Sequence, residues 1–293
     1  MKSLPVFRHL PAVLCGCTLL LSASSATAQE KFEFPAASPH ATLKSRAGLT
    51  DIEIDYSRPS TKGREIFGGI VKWNEVWRTG ANESTKITFS TPVKFGDKEV
   101  PAGKYALYTI PNKNEWTIIL SKDTSLWGSN NYSADKDAIR FTARPATLMQ
   151  KVETFTIEVG DLTDDTATLW LLWDRTAVPV NISLGTTQNV LSGIQQAVAS
   201  GKTYAPGFYS GAANFYLAQN KDLPTALKWI SQAVEADPKN FRRMRVKSQI
   251  QAKLGDKTGA IATLEKANEV NMSSPEPDVD ELQSNLKLIA TFR

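Results

Sequence analysis

Three arginines in one long polar stretch set the first chemical question. Tyr56-Ser57-Arg58-Pro59-Ser60-Thr61-Lys62-Gly63-Arg64 is followed by Trp77-Arg78-Thr79-Gly80-Ala81-Asn82. A guanidinium is a planar fork that fits carboxylate, phosphate or sulfate. Arg58, Arg64 and Arg78 therefore make up a candidate site for an anionic ligand. The competing structural reading ties the same arginines to Asp51, Glu53, Asp55 or backbone carbonyls, because a buried guanidinium needs partners. Two look-alikes are set aside. Gly96 to Lys104 imitates a phosphate loop, but Tyr105 replaces the required Ser or Thr and a strand follows. Asp51-Ile52-Glu53-Ile54-Asp55 imitates the opening of a calcium loop, but Tyr56 stands where glycine is needed.

Further along the chain, Arg242, Arg245, Gln249 and Lys253 recur at helical spacing. They form a candidate groove for an acidic peptide or a terminal carboxylate, against the plainer reading of a solvated basic face. Six of the seven tryptophans fall between residues 41 and 185; an exposed one would stack on a sugar ring, and Trp127 in Leu126-Trp127-Gly128 is the one to examine for exposure. No catalytic residue, cofactor-binding residue or metal ligand can be nominated from spacing, and no cofactor is expected.

The elements that must position these residues fall into two kinds. From Ala41 to about Leu184 short apolar alternations are separated by turn chemistry. Asp51 to Tyr56 alternates strictly, and β-rich runs follow at Lys86–Ser90, Lys104–Ile110, Glu115–Ser121, Ala138–Ala143, Thr154–Val159, Ala167–Trp173 and Val178–Leu184. This pattern predicts an antiparallel β-sandwich, jelly-roll-like, over residues 41–185. The stretches Ser57–Asn82 and Lys122–Asp137 are long for loops, so they either carry function or plug the core. After Gly185 the period becomes helical. Ala226, Ile230 and Ala233 match Ala260, Leu264 and Ala267 at an offset of 34 residues, which predicts a small tetratricopeptide-like domain over residues 186–293. Helices at Gln188–Ala199 and Asp278–Phe292 are expected to cap it.

The N-terminus reads as a signal peptide over residues 1–28, with Lys2 and Arg8, an apolar run from Leu10 to Leu21 and a cleavage site at Ala26-Thr27-Ala28. The run is too short for a permanent span, and a linker over 29–40 would follow. Cleavage would remove both cysteines, Cys15 and Cys17, and leave His40 as the only histidine. Thiol nucleophiles, disulfides and cysteine-based zinc sites would then be excluded. A lipoprotein anchored at Cys17 is the alternative. The net charge of +4 would fall to +2, which is no nucleic-acid footprint.

Tyr56-x-Arg58-Pro-Ser-x-Lys62-Gly-Arg64, Val76-Trp77-Arg78-Thr-Gly-Ala-Asn82-Glu, Pro101-Ala-Gly-Lys-Tyr105 and Glu115-Trp116-Thr occur in that order. In them the chain resembles the exported bacterial family called domain of unknown function 2911, over roughly Ser38 to Leu184. The resemblance implies an exported β-rich protein, adds Asn82, Lys104 and Tyr105 to Arg58, Arg64 and Arg78 in the candidate anionic-ligand site, and supplies no catalytic residue. The expectation is a non-catalytic binding or scaffolding protein of the periplasm or exterior. Its β domain would take an anionic or carbohydrate ligand, and its helices a protein or peptide partner. The alternative is a hydrolase working through an Asp/Glu pair; a third reading makes the β domain an assembly module.

Overall fold

The computed structural model describes residues 34–293. The expected signal peptide, its cleavage site and the Cys17 alternative lie outside the described residues.

Ten strands and six α-helices occur among the described residues, strands first. The strands are β1 (His40–Ala47), β2 (Thr50–Ser57), β3 (Thr85–Phe89), β4 (Val93–Phe95), β5 (Lys98–Val100), β6 (Gly103–Ile110), β7 (Trp116–Ser121), β8 (Asp137–Ala143), β9 (Ala146–Gly160) and β10 (Thr166–Ser183). They form two antiparallel sheets. The larger has the order β1-β2-β3-β6-β7-β8 and the smaller β5-β4-β10-β9.

Alternation sets which side chains meet between the sheets. Ile52 and Ile54 of β2, Ile87 and Phe89 of β3 and Ile118 of β7 face inward, against Phe155, Leu169 and Val180 of the smaller sheet, all essentially buried. In β10 the inward positions are Ala167, Leu169, Leu171 and Trp173, then Val178, Val180 and Ile182. The parity switches at the irregular pairing around Asp174, whose φ is +52°. A bulge of this kind is what turns one face of a strand into the other. The two strands expected at Ala167–Trp173 and Val178–Leu184 are thus one bent strand.

Both long stretches between strands are structural fillers as well as surfaces. Ser57–Asn82 delivers Ile66 and Val71 into the sandwich core and sets Phe67 against Trp73, Trp77, Trp116 and Trp173, with ring centroids 5.0–6.1 Å apart. Lys122–Asp137 lies over the outer face of the larger sheet, where Leu126 and Tyr132 pack on Ala106, Tyr108 and Ile119.

The helices are α1 (Thr186–Ala199), α2 (Pro206–Ala218), α3 (Leu223–Ala236), α4 (Phe241–Lys253), α5 (Lys257–Met272) and α6 (Val279–Phe292). Four begin at a side-chain cap: Asp222, Asn240, Asp256 and Asp278 accept from the amides of Thr225, Arg243, Gly259 and Glu281. Such caps satisfy amides that have no partner within the helix. The buried Ala226, Ile230 and Ala233 of α3 recur as Ala260, Leu264 and Ala267 of α5, where small side chains allow close helix approach. Among the described residues no helix is long and apolar enough to cross a membrane.

Candidate functional site

The six residues of the candidate anionic site are divided among different places. Arg58 donates to the Phe155 carbonyl at 3.2 Å and to Thr156 Oγ1 at 2.9 Å, both on β9. Arg64 donates to the carbonyls of Thr61 and Ser60 at 3.0 and 2.7 Å. Around them the Thr61 amide donates to the Glu153 carbonyl and the Phe155 amide to Pro59. Glu153 accepts from Thr61 Oγ1 and the Lys62 amide, and these bonds hold its carboxyl below the usual range. The loop is thus stitched along the free edge of β9, which would otherwise present unpaired backbone groups. The strand acids are engaged elsewhere, across the β1–β2 hairpin: Arg46 with Asp51, Lys44 with Glu53, His40 with Asp55.

Arg78 and Asn82 belong to a different cluster. Arg78 donates to the Asn82 carbonyl at 3.1 Å and passes Gly128 so closely that a Cβ there would stand 2.9 Å from Nη1. Gly128 also has φ +77°, a region that side chains disfavour. Lys104 and Tyr105, adjacent on β6, point to opposite faces. Tyr105 turns into the core and donates to the Pro101 carbonyl at 2.9 Å, and burial pushes its phenol up. Lys104 stands on the outer face, opposite Thr88.

What the Arg78–Asn82 turn builds is a mount for Trp127. Ser84 donates its amide to the Leu126 carbonyl, Glu83 bridges Trp127, and the Tyr108 hydroxyl donates to the Gly128 carbonyl at 3.2 Å. Leu126 is packed beneath, while the Trp127 side chain is left 68% exposed. A large aromatic held rigidly yet open to water is unusual for a side chain that buries well. It borders a cleft of about 320 Å³ lined by His40, Asp55, Ser57, Asn82, Glu83 and Ser84. The Asn82 amide donates to Ser57 Oγ at 3.1 Å, and His40 Nε2 lies 3.1 Å from Asp55.

Beside this cleft lies Lys86, only 8% exposed. Its Nζ donates to the Ser84 carbonyl at 2.6 Å and to Ser84 Oγ at 2.9 Å, and stands 3.8 Å from Glu83. Burial lowers its pKa, against the pull of Glu83 and Asp55. Among the described residues no group of three or more His, Cys, Asp or Glu side chains gathers as a metal site.

In the helical domain Arg242 and Arg245 meet acids of the same chain, Asp278 at 2.7 Å and Glu281 at 2.8 Å, and so dock α6 on α4. Gln249 and Lys253, one and two turns beyond Arg245, line a separate groove of about 490 Å³ with Leu217, Lys257, Leu288 and Phe292.

The sequence reading singled out Trp127, Asn82 and Arg78 but not His40, Asp55, Glu83, Ser84 or Lys86 as members of one site. These come together from β1, β2 and the approach to β3, and only strand register joins them. No curated protein matches the chain. The family model described as "Protein of unknown function (DUF2911)" matches residues 38–182. That span runs from just before β1 to the penultimate residue of β10 and contains the whole Trp127 cleft. By this match the β domain, over residues 38–182, belongs to the DUF2911 family.

Proposed function

We propose that this is an exported binding protein of the cell envelope whose β domain receives a carbohydrate in the Trp127 cleft. The observation that carries this reading is the exposed, backbone-pinned Trp127 ring above a cleft of hydroxyl, amide and carboxylate groups. An aromatic face packs on the C–H face of a sugar ring, while Asp55, Glu83 and Asn82 supply the acceptors and donors that fix hydroxyls. The cleft's acids favour a neutral polyol over an anion. Arg58 and Arg64 are held on backbone and hydroxyl oxygens outside it.

Titration with a panel of neutral oligosaccharides, followed by tryptophan fluorescence and calorimetry, tests the idea. Trp127→Ala is expected to weaken binding by about tenfold or more, the worth of one stacked ring, with thermal stability unchanged because the side chain is exposed. No heat and no fluorescence change with any member of the panel would refute it.

The helical groove supports a second, separate binding role, as a tetratricopeptide-like tail that holds an acidic, apolar peptide end. Leu217, Leu288 and Phe292 give it an apolar lining, Gln249 gives it an amide, and Lys253 and Lys257 give it positive charge. Among the described residues the Lys253 ammonium donates to neutral oxygens, the Leu217 carbonyl and Asn220 Oδ1. Reversing both lysines to Glu should abolish capture of such a peptide; capture that survives the reversal removes this role.

A further inference from the structure

We infer that Ser84 and Lys86 are a nucleophile and its general base, and that the cleft hydrolyses a carboxylic ester. A working serine needs a base within hydrogen-bond reach and a third group orienting that base. Here Lys86 Nζ is 2.9 Å from Ser84 Oγ, and Glu83 lies 3.8 Å from the same Nζ. Ser84 lines the cleft but is only 2% exposed, and its hydroxyl donates to the Leu126 carbonyl at 3.2 Å; to react it must turn from that carbonyl to Lys86, with the substrate coming from the cleft side. Asn82 and His40 line the same cleft; the Asn82 amide is held on Ser57 Oγ and His40 Nε2 faces Asp55, so either must leave that partner to serve a developing oxyanion.

In the reaction, neutral Lys86 Nζ takes the hydroxyl proton as Ser84 Oγ bonds to the ester carbonyl carbon. The bond from that carbon to the alkoxy oxygen then breaks, and the leaving oxygen takes the proton from the ammonium and departs as an alcohol. Water repeats the sequence on the acyl-serine, releasing the carboxylic acid and restoring the hydroxyl. Neither histidine nor thiol is needed.

The charges around Lys86 come from four places. They are Glu83 beside it, Asp55 opposite on β2, Lys104 on β6 and Asp123 in the loop above. Glu83 and Asp55 favour the ammonium; burial, the largest influence, and Lys104 favour the free amine. Activity should therefore rise with pH as the amine is released. That the alcohol part of the ester is a sugar rests on the carbohydrate reading above; the Ser84–Lys86 chemistry does not.

The purified full chain is treated with p-nitrophenyl acetate and with a fluorophosphonate, and adducts are located by peptide mass spectrometry. A single adduct on Ser84 is expected, formed faster as pH rises and absent from Ser84→Ala. Lys86→Met and Lys86→Arg should slow it by roughly a hundredfold or more, the usual worth of a general base. Arginine keeps the charge and the donors but cannot act as a base, so it separates loss of the base from loss of the fold. Absence of any Ser84 adduct in the native chain overturns the proposal, as does undiminished labelling of a folded Lys86→Arg variant; Lys86 is then only a cap for the Ser84 carbonyl. Glycan binding by the native chain is measured alongside its labelling. Binding without labelling refutes the esterase and spares the carbohydrate site, whereas labelling without glycan binding does the reverse.

Discussion

At the scale of single residues, polar groups in this β domain mostly fix backbone that would otherwise wander, and Tyr132 shows the pH consequence. Its hydroxyl lies 2.8 Å from both oxygens of Asp137 and accepts from Arg140 Nη2 at 2.7 Å, which ties the 122–137 loop to β8. Burial first, and the Asp137 hydrogen bond second, push its phenol up to about 12 from the ordinary 10.0. Between these values the unfolded chain has lost its phenolic proton while the folded chain keeps it. This contribution is therefore whole below about pH 10 and fades as pH rises toward 12. Tyr132→Phe should cost about 1–2 kcal/mol at neutral pH, the worth of hydrogen bonds to charged partners. The gap between the two proteins should close as pH climbs through that window. Urea denaturation at several pH values measures it; a gap that stays constant would show that the phenol is not the group responsible.

At the scale of elements, the Ser57–Asn82 segment behaves as part of the core although it lacks a named strand. Ile66 is 1% exposed, and Phe67 lies in a cage of indoles. Ile66→Ala should therefore cost about 2–5 kcal/mol in the β domain, the range for a core cavity. Ile70→Ala, in the same loop but 46% exposed, should fall within about 0.5 kcal/mol of the native protein. Equal, small effects at both positions would make the loop a mere surface feature. The length and glycines of this segment were readable from sequence as a functional or core-filling stretch, and alternation located β2, β3, β6 and β7 within a residue or so. What alternation could not locate was anything set by register or by a distant loop. Of the two kinds of partner expected for the arginines, backbone carbonyls are the ones they take, while the β1–β2 pairing gives the nearby acids to Arg46, Lys44 and His40. Lys86 of β3 is buried with its Nζ turned back onto Ser84, a tertiary fact that local pattern does not carry. Trp127 was legible as a question because Gly128 and polar residues surround it; its pinning by Ser84 and Tyr108 was not.

At the scale of the whole molecule, the sandwich and the helices have separate cores. One runs from Ala47 to Leu184; another joins Leu191 and Ile194 of α1 to α2, α3 and Ile250 of α4. Where the chain passes from one to the other, contact is polar and local. Asp165 accepts from the Thr187 amide at 2.7 Å and from its hydroxyl, and so caps α1 from the β9–β10 turn. Gly48 lets Thr186 and the Asp164 carbonyl come where a Cβ would stand 2.2 Å from each. Burial of apolar area is the main source of folding cooperativity, and a junction of this kind offers little of it. Heating should accordingly melt the chain in two transitions. Ile66→Ala should lower one of them and Ile230→Ala, fully buried in α3, the other. By mass action an oligosaccharide should raise only the sandwich transition and a groove peptide only the helical one. Calorimetry on the four samples decides it: a single transition displaced by both substitutions would mean that the junction couples the cores, and occupancy of the Trp127 cleft would then be felt in the helical groove.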